Sequence, residues 1–520
     1  MSTSGSCRFR FLLAVTAAAL LLSAPAADAK RHQPQECVAG AAGVGDAYYP
    51  TYGNGGYDTR HYDLDIEYDP STDRLDGEAA IRARATETLC SFNLDLVGLE
   101  VRQVKVNGRR AAWGRSAQEL TITPKRPLEE GSRFKVKVRY DGVPVEFILP
   151  GTDIRTGFMA TPDGANVVGQ PEVAASWYPV NDHPIDKASY SFDVTVPKGY
   201  EVVANGFLRD RDHHRGWTRW EWKAREPMAS YLATIDIGYW DVDRWRTDSG
   251  IPVYDAVDSA ITGGLRAEID SSLARQGEIL DLLSDSFGPY PFSTVGAIVD
   301  NQDDLLFALE TQTRPVYAKV FWLDDEGNPI NGDFVVVHEL AHQWFGDDVA
   351  LARWQDIWLN EGFATYAEWI WEEYEGRGTT QEIFQATYDA TPADDPLWAV
   401  VIGDPGVELL FDNAVYVRGA MTLQALRNEV DDDAFWAIVR GWAATKSGGN
   451  ATTEEFIAYA EDVSGQQLDE LFDTWLYTAG KPPPSAVAAR AREKLSTARA
   501  RARARVHVDR AQKRLALGRY

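Results

Sequence analysis

Cysteine is scarce in this chain of 520 residues: there are three, with no CxxC pair, which excludes a cysteine-built zinc site and a thioredoxin-like redox motif. Histidine numbers only eight, so few metal sites can be assembled from imidazole. Positive charge is short as well. The 52 basic groups against 78 acidic ones leave a formal charge of −26, the wrong sign for a general nucleic-acid binder. No repeat of solenoid period is present. The Asp-rich stretches at 300–304, 324–326 and 431–433 lack the alternating ligand spacing of a calcium hand and read as solvated loops. With 44% hydrophobic and 25% charged residues, the chain is globular and long enough for two or three domains.

The start reads as an export signal. Arg8 and Arg10 precede a 12-residue apolar run, Phe11 to Leu22, and Ala27-Asp28-Ala29 supplies a cleavage site, so residues 1–29 form an expected signal peptide. The run is shorter than the roughly 20 residues that cross a bilayer. A secreted protein, extracellular or in the cell envelope, is expected after removal of the signal near Ala29. Cys7 would leave with it. Cys37 and Cys90 remain, and in an oxidising compartment they either form one disulfide, strapping an N-terminal arm (30–54) to the first domain, or stay as two thiols. Charge is also unevenly placed: residues 30–480 carry about −37 and the tail, 481–520, about +10. Either the Ala/Arg-rich tail contacts the acidic body or an anionic envelope polymer, or it is solvated chain.

Between 55 and 245 the pattern has period two. Tyr62, Leu64, Ile66 and Tyr68 alternate with polar residues, as do Phe134 to Tyr140 and Tyr190 to Val196, which predicts a half-buried antiparallel β domain. Trp217, Trp220 and Trp222 read as sheet packing. Near 264 the period changes, and a mainly helical domain is expected over 246–480. Its predicted helices are 265–287, 334–346, 358–374, 414–429, 453–463 and 466–477.

Within that domain, His338-Glu339-Leu340-Ala341-His342 places two imidazoles on one helical face, four residues apart, able to bind one zinc ion while Glu339 leans over the open position. Glu361 follows after 18 intervening residues, in Trp358-Leu359-Asn360-Glu361-Gly362, and a carboxylate on a following helix can complete a His₂Glu site. Thr365, one turn beyond Glu361, is a candidate to support a ligand by hydrogen bonding.

HELAHQWFGD at 338–347 with WLNEGFATY at 358–366 resembles the aminopeptidase N family of zinc metallopeptidases. The likeness continues through Gly288-Pro289-Tyr290-Pro291-Phe292, Ala308-Leu309-Glu310-Thr311-Gln312 and Tyr416-Val417-Arg418-Gly419-Ala420, over about 55–480. The resemblance implies an α+β multidomain chain: an N-terminal antiparallel β-saddle followed by a thermolysin-like zinc peptidase domain, without a large C-terminal helical domain. It implies one zinc ion per chain, Glu339 as general base, Tyr416 as the oxyanion donor, and peptide substrates with a free N-terminal amine. Glu310 and Glu172 are the amine-binding positions it implies. Phe307 and Thr311 depart from the family's GxMEN pattern, which leaves a zinc endopeptidase or other zinc hydrolase as the alternative, and a non-catalytic binding protein as a further one.

Overall fold

The computed structural model describes residues 36–483; the expected signal peptide, and the tail beyond Pro483, lie outside the described residues. Lys481 and Pro482, assigned to the tail by sequence, belong to the folded body: the Lys481 ammonium donates to the Tyr388 and Thr391 carbonyls, and Pro482 O accepts from the Tyr388 hydroxyl.

Residues up to about 238 build three sheets around the period-two strands. The largest has eight strands in the order 207–214, 217–228, 188–197, 57–69, 74–85, 133–142, 100–106 and 109–110. Tyr62, Leu64, Ile66 and Tyr68, and opposite them Tyr190, Phe192, Val194 and Val196, are fully buried on one face, as alternation requires. Trp220 and Trp222 pack on the same core. The sheet is not wholly antiparallel, however. Strand Ala188–Pro197 runs parallel to Tyr57–Asp69, with Phe192 beside Leu64. Period two is the same in both pairings, and the long chain between the two strands supplies the crossover a parallel pair needs. Cys37 and Cys90 form a disulfide with Cα atoms 5.1 Å apart, fastening the arm to strand Leu89–Asp95.

A fourth sheet, five-stranded and mixed, opens the second half of the chain, in the order 240–246, 252–258, 295–300, 316–318 and 308–309. The boundary expected between 245 and 246 therefore falls inside a strand, and the change of sheet comes before Trp240. Helices follow and interleave: α1 Gly263–Leu273, α2 Gln276–Phe287, α3 Asp333–His342, α4 Trp358–Tyr374, α5 Thr380–Ala390, α6 Asn413–Val430, α7 Asp432–Lys446 and α8 Thr453–Ser464. The single helix expected over 265–287 is broken at Ala274 and Arg275, where the Arg275 guanidinium reaches Asp333 at the start of α3 and Glu375 beyond α4. In place of a helix over 466–477 there is a short helix Asp469–Phe472 and a π-helical turn Asp473–Tyr477. Among the described residues no helix is long and apolar enough to cross a membrane.

Two packing features position the site. Helices α4 and α6 touch backbone to backbone at Gly362 and Gly419, where a Cβ on Gly419 would lie 2.8 Å from the Gly362 Cα. Only glycine permits that approach. One residue before Gly419, Arg418 is wholly buried and donates to the carbonyls of Trp398, Val400, Thr474, Trp475 and Thr478. It ties α6 to the π-helical turn.

Candidate metal centre

Helix α3 is buried along most of its length and presents His338 and His342 one turn apart, while α4 packs across it and brings in Glu361. The Nε2 atoms of the two histidines lie 3.1 Å apart, and Glu361 Oε2 lies 3.2 Å from one and 3.3 Å from the other. All three residues are buried.

The tautomers follow from the outer contacts. His342 Nδ1 is 3.0 Å from the Phe345 carbonyl, which can only accept, so Nδ1 carries the proton and Nε2 presents a lone pair. His338 Nδ1 is likewise 2.7 Å from Glu368 Oε1. Three lone-pair donors thus converge on one point, an arrangement that repels itself unless a cation sits there. Their spacings of 3.1–3.3 Å come within about 0.3 Å of a tetrahedron's edge for ligand bonds of about 2.0–2.1 Å, which is about 3.3–3.4 Å, the geometry of zinc with two imidazoles and a carboxylate.

Glu368 is the support that sequence reasoning missed. It lies seven residues after Glu361, two turns along the same face of α4, and that spacing was a readable signal. A carboxylate behind a ligating histidine fixes the ring and raises its basicity. Thr365 does not take this part: its hydroxyl is buried with no hydrogen-bond partner.

The centre forms the floor of a cleft of about 320 Å³, walled by Gln170, Phe307, Ala308, Glu310, Phe321, Val335, Glu339, Glu408, Leu409, Phe411 and Tyr416 among others. Glu339 is buried on α3, and burial pushes its carboxyl up to about 7, with the neighbouring His338 and His342 holding the rise back. Tyr416, in the first turn of α6, stacks on the His338 ring with centroids 6.0 Å apart. Glu310 follows the edge strand Ala308–Leu309, is 2% exposed, and accepts from the Tyr231 hydroxyl at 2.9 Å. Burial raises its pKa, His342 opposes the rise, and Glu361 adds to it. Carboxylate oxygens of Glu310 and Glu339 and a ring nitrogen of His342 all lie within 4.8 Å of one another.

Glu172 is not brought to the cleft wall. Its Oε2 is buried without a hydrogen-bond partner, and burial, then the neighbouring Asp182, push its carboxyl up to about 8. From the same segment Gln170 lines the cleft instead, and its Oε1 also lacks a partner. Phe307 stands on the wall, whereas Thr311 is buried and donates to the Arg314 carbonyl at 2.6 Å.

Two family models match, the peptidase M1 N-terminal domain over residues 58–232 and the peptidase family M1 domain over 273–475. The chain belongs to the peptidase M1 family. A probable aminopeptidase 1 of Saccharolobus solfataricus is 26% identical to this M1 chain over 408 residues, covering 75% of this chain and 50% of that protein. A glutamyl aminopeptidase of Bos taurus is 27% identical over 330 residues, 60% of this chain and 34% of that protein. This M1 chain spans about half the length, or less, of these two relatives. The crystal structure of an M1 zinc metallopeptidase from Deinococcus radiodurans superposes with a TM-score of 0.75 at 29% identity, covering 85% of this chain and 98% of that one. A Glu-to-Ala mutant from Deinococcus radiodurans, bound to a Tyr-ser-ala substrate, gives 0.74, again at 29% identity, over 85% and 99%. These neighbours share the order seen here, mixed sheets and then a helical catalytic domain, and zinc is the metal that the donor set of this M1 chain fits.

Proposed function

We propose that this protein is a zinc aminopeptidase, removing N-terminal residues from peptides that carry a free amine. The observation that carries the reading is Glu310, a buried carboxylate held by Tyr231 in the cleft wall, with Glu339 and His342 beside it. It is placed to neutralise a substrate ammonium next to the metal-binding residues. Gln170, with its unpartnered Oε1 on the wall, is a second acceptor for that ammonium, in the place first expected of Glu172.

The chemistry that zinc supplies when held by His338, His342 and Glu361 is Lewis acidity, which polarises a carbonyl and brings the pKa of water toward about 7. Glu339 takes the proton of the attacking water on its carboxylate and returns it to the departing amine, a part worth about 10²–10⁴ in rate. Burial raises its pKa above that of a free carboxylate, which favours return of the proton to the amine. The Tyr416 hydroxyl donates to the carbonyl oxygen as negative charge develops there, which contributes on the order of 10²–10³. Glu368 keeps the His338 ring in the ligating tautomer. Solved M1 neighbours bound to L-arginine and to Tyr-ser-ala are in keeping with a cleft that takes a free amino terminus.

Export after cleavage near Ala29 belongs to the same reading, and the bridge between Cys37 and Cys90 suits an oxidising compartment. The test uses an amino-acid anilide, its N-acetylated counterpart, a chelator and Glu339→Gln. Cleavage of the free anilide alone, lost to the chelator and reduced at least about 10²-fold by the substitution with zinc retained, is expected. Equal cleavage of the acetylated compound would make the enzyme an endopeptidase.

A further inference from the structure

The arm between Cys37 and Tyr57 precedes both matched family regions and takes no part in the chemistry above, yet it reaches into the catalytic half. Asp46 is its buried anchor. One oxygen accepts the N–H groups of Tyr48 and Tyr49 at 2.7 and 3.1 Å; the other accepts the Trp354 N–H at 2.9 Å and lies 3.1 Å from His183 Nε2. Trp354 opens the short turn that leads straight into α4, and its ring meets that of Tyr49 edge to face at 6.2 Å. The arm is therefore a fixed strut whose far end is the disulfide.

From this strut the Tyr48 hydroxyl extends to a loop 356 residues away in sequence, donating to Asp404 Oδ1 and accepting the Gly406 N–H at 2.7 Å. The loop it holds, 404–412, supplies Glu408, Leu409, Phe411 and Asp412 to the cleft wall. It ends at Asp412, whose carboxylate caps α6 by accepting from Ala414 N–H at 2.8 Å, so the loop's far end is pinned by the helix start and its near end by Tyr48. On its other side the loop abuts the opposite lip of the cleft, where a Cβ on Gly151 would lie 2.2 Å from the Glu408 carbonyl oxygen.

We propose that Tyr48 is a positioning residue of the cleft: by gripping Asp404 and Gly406 it holds loop 404–412 against the lip at Gly151 and so sets how tightly the first residues of a substrate are bound. The proposal rests on the aminopeptidase reading. Loss of two polar contacts outside the reacting groups should weaken substrate binding and leave the chemical step alone.

The test is Tyr48→Phe in the full zinc-loaded chain, with two readouts. With an amino-acid anilide, KM should rise about three- to tenfold while kcat stays within about twofold. Amide hydrogen exchange should quicken across 404–412, most at Gly406, and stay as in the wild type across α3. Asp404→Ala should reproduce the rise in KM, and the double variant should add little to it. Unchanged exchange across 404–412 would overturn the proposal, as would a fall in kcat together with the thermal midpoint at constant KM. If the wild-type chain hydrolyses no free-amine substrate, the functional reading fails by itself, and the exchange result still decides whether Tyr48 holds the loop.

Discussion

Replacing Glu310 by Gln keeps the shape of the side chain and one acceptor while removing a single buried charge. Glu310 is 2% exposed and Tyr231 occupies one of its oxygens, so a substrate ammonium would meet it out of bulk water. At about 4 Å and an effective dielectric constant of about 20, the attraction between unit charges is about 4 kcal/mol. A Gln oxygen recovers about 1 kcal/mol as a neutral acceptor. The remaining 3 kcal/mol or so corresponds to about two orders of magnitude in kcat/KM. The assay compares Glu310→Gln with wild type on a free-amine dipeptide, with zinc content measured on the same samples and a thermal melt to check the fold. A loss of about 100-fold at one zinc per chain is expected. A loss below about threefold, or one that tracks missing zinc, would refute the assignment of Glu310 as the amine anchor.

The remaining expectations concern the metal, the base and the helix contact. Glu368→Gln should weaken zinc binding about 10–100-fold in a competition titration, whereas Thr365→Val should leave zinc affinity unchanged, since its hydroxyl bonds to nothing. Glu339 must be unprotonated to act as a base. Burial lifts its pKa toward about 7 and positive charge at the metal opposes that rise, so kcat/KM should hold near pH 7 and fall at lower pH, once the carboxylate takes up its proton, approaching tenfold per unit. A profile that rises from pH 7 to 5 would contradict the role. Gly419→Ala should force α4 and α6 apart, lowering the thermal midpoint by an amount equivalent to about 1–3 kcal/mol and reducing kcat through displacement of Tyr416.

Much of this architecture is legible from spacing, because spacing determines which side chains share a face. Helix α4 coincides with the predicted 358–374, and the metal-binding trio converges as an HExxH helix and a later Glu require. What escaped has physical reasons. Period two cannot tell a parallel neighbour from an antiparallel one, so the pairing of 188–197 with 57–69 was invisible. Helix α7 was passed over because Asp431 to Asp433 look like loop, although Asp431 is the cap, accepting from Ala434 N–H, and Phe435, Ile438, Val439 and Trp442 form its buried stripe. Helix α5 carried a legible capping box, Thr379 with Glu382. Of the pair Gln170 and Glu172, it is Gln170 that lines the cleft, and sequence cannot say which of two neighbouring residues faces a cavity built from distant segments.

The caged guanidinium of Arg418 links the last stretch of the folded chain to events at the cleft. Five carbonyls surround it, and burial alone draws its pKa down to about 10, so it remains a cation at any pH at which the protein works. Three of those carbonyls come from Thr474, Trp475 and Thr478. Loss of the chain beyond about residue 472 would take away no reacting group, yet it would leave the buried charge with only the Trp398 and Val400 carbonyls, two positions from Tyr416 on α6. Damage to the C-terminal turns should thus register first as a failing active site, which makes intact synthesis of that end a precondition for turnover.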